Sequence, residues 1–177
     1  MPLKANYIQM KKYTSAIILF LFLTAGKVSS LNAQEKQLAS IKISGAVAKP
    51  ITISAADLNK MARIDVSRKD KNDKAHQFSG VLLSVLLANS GANTEKALHG
   101  ENLAKYVVVE AVDGYKVVFS LAELDPDFSD NKIVLADTMD SAALAVGDGP
   151  FKIIVQNDKR PARCIKQVKS IRVVSAK

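Results

Sequence analysis

Near the end of the chain, Asn157-Asp-Lys-Arg-Pro-Ala-Arg163-Cys-Ile-Lys166 gathers cations into one short, turn-forming stretch. Lys159, Arg160, Arg163 and Lys166 are of the types that hold an anion such as phosphate or sulfate. Arg163 and Lys166 are three apart, so on a helical turn both point to one side. Backbone N–H groups at the start of such a turn would add positive potential. A merely solvated cationic turn fits the same charges, and spacing alone leaves both readings open.

Other reactive residue types are few. His76 and His99 lie in polar stretches, no Gly-x-Ser-x-Gly elbow exists, and both histidines read as surface residues. Asp125-Pro-Asp127-Phe-Ser129-Asp130 superficially resembles a calcium loop. Its sixth position is Asp130 instead of Gly and its twelfth is Ala136 instead of Glu, so the sharp turn and the bidentate ligand are both missing. Cys164 is the only cysteine, which excludes an internal disulfide and any zinc site built on two thiolates. It reads as a small buried filler, with a reactive thiol beside Arg163 and Lys166 as the alternative. No metal site is expected.

These residues sit in a chain of 177, 48% apolar and 24% charged, with a formal charge of +8 and no Trp. The composition is that of a globular protein and excludes disordered, collagenous and low-complexity classes. The positive excess is concentrated late: after residue 157, Lys159, Arg160, Arg163, Lys166, Lys169, Arg172 and Lys177 face Asp158 alone. No aromatic residues interleave those cations for bases to stack on, so a small anionic ligand is expected and nucleic acid is not.

Residues 1–33 read as a signal peptide. Lys4, Lys11 and Lys12 precede the apolar run Ala16–Leu23, and Ala33 supplies the small residue before a cut. The run is shorter than the ~20 residues of a membrane span, so no anchor is expected after cleavage. A periplasmic or secreted location follows. Residues 34–40 form a polar lead-in, and 41–177 a single α+β domain of mostly strands with short helices.

Within that domain, Ile41–Ile43, Ile51–Ile53 and Ile64–Val66 alternate as half-buried strands. Ser54 and Ser120 are placed to cap short helices. Arg68–Lys74 mixes charges without apolar residues and reads as a solvated hairpin loop. Ser79 opens the best helix, through Leu87, with Gly91 as its left-handed cap. Asp113-Gly114 joins Tyr106–Val109 to Tyr115–Phe119 as a two-residue hairpin turn with both residues at positive φ. Lys132–Ala136, Phe151–Val155 and Val168–Val174 complete the strands.

The order of these pieces resembles the molybdopterin-binding domain of the sulfite oxidase family, in its short, exported stand-alone bacterial form. The matching residues are Gly45 with Pro50-Ile-Thr-Ile53 and Leu58, Phe78-Ser-Gly80-Val-Leu-Leu83, Asp113-Gly-Tyr115 and Phe119–Leu124. Gly149-Pro-Phe-Lys-Ile-Ile-Val155 and Arg160-Pro-Ala-Arg163-Cys-Ile-Lys166-Gln-Val168 close the match. The resemblance implies a sulfite-oxidase-type fold, with Arg163 and Lys166 where the family holds the phosphate of its molybdopterin. Two departures speak against a working molybdenum centre. The segment in which family oxidases carry the metal-ligating cysteine is here Ile64-Asp-Val-Ser67-Arg-Lys-Asp70, and the hydroxyl of Ser67 is a poor substitute for a soft thiolate. The leader carries Lys11-Lys12 and no Arg-Arg pair, so it looks like an unfolded-export leader, through which a preloaded cofactor could not pass. The expected function is therefore binding of a pterin phosphate or other anionic ligand without a molybdenum centre. A molybdopterin-dependent oxidoreductase acting on a small oxyanion and a protein-interaction module are the alternatives.

Overall fold

The computed structural model describes residues 39–92 and 98–176, so the expected signal peptide lies outside the described residues. Ten strands form two five-stranded sheets. Sheet A has the order β2 (Ile51–Ser54), β1 (Ser40–Gly45), β10 (Val168–Ser175), β5 (Lys105–Ala111), β6 (Lys116–Ser120). Its pairs are antiparallel except β1 and β10, which run parallel with Lys42 opposite Ser170. Sheet B places β3 (Ile64–Lys69), β4 (Ala75–Leu82) and β7 (Ile133–Met139) side by side, with β8 (Ala142–Ala143) and β9 (Lys152–Val155) both pairing to β7.

The alternation of apolar residues decides which faces are covered. In sheet A, Ile41, Ile43, Val107, Val109, Phe119 and Ile171 point one way and are fully buried, while Lys42, Val118 and Arg172 point to solvent. Strand β7 is apolar at every position from Ile133 to Ala136 and is buried on both faces. Ile133 and Leu135 enter the main core, whereas Val134 and Ala136 join Val66, Phe78 and Ile154 in a second, smaller cluster. That second face of sheet B is the floor of the candidate site.

Short helices link the strands. Ser54 caps α1 (Ala55–Leu58) through a reciprocal box with Asp57, and Ser120 caps α3 (Leu121–Leu124) by accepting the Glu123 N–H, both as expected. The helix expected from Ser79 begins four residues later. Ser79–Leu82 finish β4, and α2 runs over Leu83–Asn89. A continuous apolar run has no period to separate strand from helix, and pairing with β7 claims its first half. Gly91 is left-handed (φ 71°), as the cap required. At the β5–β6 hairpin only Gly114 has positive φ (86°), and the loop is three residues, with the Ala111 N–H donating to the Tyr115 carbonyl. The expected two-residue turn is thus replaced by the other common hairpin closure, a turn followed by one left-handed glycine.

Candidate functional site: a cationic groove on sheet B

Over the second face of sheet B lies a groove of about 800 Å³. Phe78, Met139 and Ile154 make its apolar floor, and Arg68, which shares the face of Val66, lies beside them. One wall is the β3–β4 turn, bearing Lys69, Asp70, Lys71 and Asp73; the other is the segment after β9, bearing Asp158 and Lys159. The groove exists because β7 is apolar on both sides, so its outer face needs cover, and two polar loops provide only part of it.

Charges in the groove are mostly matched. Lys152 reaches up from β9 with its ammonium 2.7 Å from Asp148 and 5.5 Å from the centre of the Phe78 ring. Lys166 bonds the other oxygen of Asp148. Burial pushes the Asp148 carboxyl up, but the two ammonium partners together hold it below the ordinary carboxylate range. The Arg163 fork donates to Asp158 from Nε (2.8 Å) and Nη2 (2.7 Å), and from Nη1 to Glu123 (2.9 Å). Its guanidinium stands 5.0 Å from the Phe119 ring centre. Bonding to Arg163 lowers the Asp158 carboxyl, and bonding to Asp158 raises the guanidinium. Asp73 pairs with Lys69, and Asp70 accepts the N–H groups of Asn72 and Lys74. Every carboxylate lining the groove thus has a partner. Lys71 and Lys159, on opposite walls, have no carboxylate partner among the described residues.

The four cations expected to form the site are not brought together. Lys159 lines the groove, and Arg160 beside it is exposed. Lys166 instead borders a shallow depression with Tyr115 and Gln167, and Arg163 lies outside both hollows. The expectation of one helical turn carrying Arg163 and Lys166 on a common side is corrected. A single 3₁₀ turn spans Pro161–Arg163, Cys164 leaves helical geometry at ψ 72°, and Gln167 turns left-handed at φ 47°. Lys166 therefore falls beyond the turn that its spacing presumes.

Two further expectations are corrected. Arg68 and Lys69 are strand residues, not loop, and Arg68 donates from Nη1 to the carbonyls of Val155 and Gln156 at the end of β9. Its buried Nε has no partner among the described residues. His76 is not a free surface histidine: its side chain is 15% exposed and Nδ1 lies 2.6 Å from Asp140. Lys152 was part of a strand pattern in the sequence, and nothing there marks its ammonium as facing a groove. Only the β9 pairing with β7 reveals it.

Strand β3 offers no thiolate to a metal. Ser67 stands in β3 where the resemblance places the ligating cysteine, and no trio of His, Cys, Asp or Glu among the described residues could hold a metal ion. Cys164 on the far segment, half-buried, also lines the groove, and its sulfur accepts the Val155 N–H at 3.4 Å.

The Arg163–Asp158 pair makes a prediction. A carboxyl held low in the folded state stabilises fully above its unfolded value of about 3.9, and the benefit is lost as pH falls through the lower folded value. Asp158→Asn should lower stability at neutral pH by roughly 1 kcal/mol, after discounting for the pair's partial solvent access, and leave a shallower acid limb. Urea unfolding at about pH 7 and about pH 2.5 measures both; equal losses at the two values would remove Asp158 from the acid response.

The architecture defines an α+β domain, mostly strands with few short helices, consistent with a sulfite-oxidase-like fold. No family model matches the chain, and neither does any curated protein sequence. Among solved structures, the chain is similar to the sulfane dehydrogenase SoxCD from Paracoccus pantotrophus, with a TM-score of 0.61 and 18% identity. The match covers 78% of this chain and 38% of that one, so the chain spans well under half the length of its neighbour. At this identity the likeness is one of fold.

Proposed function

We propose that the chain is an exported domain of the sulfite oxidase type that binds a pterin phosphate or another small anionic ligand without a functional molybdenum centre. The observation carrying this reading is the pair Lys71 and Lys159, which line one groove and have no carboxylate partner among the described residues, while the groove's carboxylates are all engaged. Arg68 adds a third cation at the floor, and Phe78, Met139 and Ile154 offer apolar surface for the body of a ligand. Arg160 flanks Lys159 and can reinforce it. Arg163 and Lys166 act one step removed, by neutralising Asp158 and Asp148 so that these acids do not repel an anion. The leader of residues 1–33 supports export.

Calorimetry on the full chain with pyrophosphate or a pterin phosphate tests the site. Converting Lys71 and Lys159 together to Ala should weaken binding about tenfold, the loss of two charge-assisted contacts at a surface. An unchanged dissociation constant in that double variant refutes the placement. The oxidoreductase alternative has in its favour the fold shared with a sulfane dehydrogenase. Stoichiometric molybdenum in protein expressed by a molybdopterin-producing host would reinstate it over the present reading.

A further inference from the structure

We propose that His76 is a proton-operated latch that fastens the β3–β4 turn beside the groove when its ring is charged and frees it when neutral. The ring sits between carboxylates from two separate turns. Nδ1 is 2.6 Å from Asp140 Oδ2, in the turn joining β7 to β8, and Nε2 is 3.6 Å from Asp70 Oδ2, at the start of the β3–β4 turn. Neutral imidazole has one N–H, which Asp140 takes at the shorter distance. Nε2 then presents a lone pair to the Asp70 carboxylate, which is repulsive. Protonation replaces the lone pair with an N–H, and both carboxylates are then attracted to one ring.

The two acids are fixed differently. Asp140, at φ 50°, exchanges hydrogen bonds with the backbone of Gln77: its own N–H donates to the Gln77 carbonyl (2.8 Å), and its Oδ1 accepts the Gln77 N–H (2.9 Å). That side is anchored to sheet B. Asp70 instead organises the β3–β4 turn, since its Oδ1 accepts the N–H groups of Asn72 (2.8 Å) and Lys74 (3.0 Å). Those backbone bonds, first of all, hold Asp70 below the ordinary carboxylate range, and the Gln77 N–H, followed by the ring of His76, does so for Asp140. Both acids therefore stay charged across the pH range compared below. The other groups facing the ring are Phe78, with its centroid 6.5 Å away and Lys152 over its far reach, Arg68 opposite on β3, and Lys74, which acts on Asp140. Between Asp70 and Lys74 lies Lys71, the cation proposed to meet the ligand. The effect of the latch on affinity rests on that anion-binding reading; the latch itself does not.

Amide hydrogen exchange of Asn72, Asp73 and Lys74 in the full chain reads the latch without any ligand. Comparing the natural protein with His76→Gln at the same pH cancels the intrinsic exchange rate. At about pH 5.5 the natural protein should exchange about two- to fivefold more slowly than the variant, and at about pH 8 the two should agree. Asp70→Asn, a milder change, should likewise lose the acid-side protection at Lys74. A ratio that is the same at both pH values overturns the proposal. Sulfate, whose charge is constant across this range, then tests the consequence: it should bind about two- to fivefold tighter at the lower pH, and His76→Gln should abolish the difference. Sulfate binding with a flat exchange ratio refutes the latch and leaves the anion reading standing. A pH-dependent exchange ratio without sulfate binding supports the latch and counts against the groove as an anion site.

Discussion

Gly80→Ala is expected to cost the protein most or all of its native stability. A Cβ on Gly80 would lie 2.1 Å from the Leu135 carbonyl oxygen and 2.6 Å from the Ala136 Cα. Both obstacles are backbone of the neighbouring strand β7, so no side chain can swing aside to relieve the clash. The glycine stands where the pairing of β4 with β7 shifts register, between Ser79 and Gly80, and that irregularity draws the two backbones together. Relief would require β4 to move off β7, which carries the buried run Ile133–Ala136. A loss of at least about 4 kcal/mol, on the scale of severe core substitutions, is expected in urea unfolding. Gly114→Ala is the control. It sits at φ 86° with nothing within 4 Å of the added carbon, so only the backbone preference opposes it, at about 1 kcal/mol. Equal, small losses for the two variants would show that β4 and β7 can separate without cost.

Phe119→Ala is expected to lose about 3–5 kcal/mol, the range for emptying a buried aromatic site. The ring, carried by β6 opposite Val107 of β5, is fully buried in the main core. It also lies beneath the Arg163 guanidinium, 5.0 Å from the ring centre, so the core and the Arg163–Asp158 pair share this side chain. Phe119→Leu keeps most of the volume and should cost under about 1.5 kcal/mol beyond the lost ring contact. A double-mutant cycle between Phe119→Leu and Arg163→Ala separates the cation–ring contribution, with a coupling of about 0.5–1 kcal/mol expected at a partly exposed site. Zero coupling would mean that Asp158 and Glu123 alone hold Arg163 in place.

Strand identity was largely legible in the sequence because sheet A is covered on one face. Ile41, Ile43, Val107 and Val109 alternate with polar or less buried residues, and alternation is a signal that any chain segment carries by itself. The caps at Ser54 and Ser120 were legible for the same reason, since both partners lie within three residues. Legibility failed where the deciding partner was distant. The run Ser79–Leu87 splits into strand and helix because β7, some fifty residues later, pairs with its first half. Arg68 looked like loop polarity until the carbonyls of Val155 and Gln156 supplied its partners. The site was legible in type and not in arrangement. Cations at Lys159, Arg160, Arg163 and Lys166 were visible, but which of them remain unpaired depends on where Asp148, Asp158 and Glu123 arrive. His76 was misjudged likewise, its two acids lying in other turns.

The parallel pairing of β1 with β10 has a consequence for how the molecule is made. The second strand of the chain's own fold to be synthesised finishes long before the last, yet the middle of sheet A is the seam where the first and last meet. Until residues 168–175 leave the ribosome, β1–β2 and β5–β6 can exist only as separate hairpins with open, sticky rims. Closure of the seam must therefore be a late and slow event, and a holding chaperone would find its natural grip on those two rims during the wait.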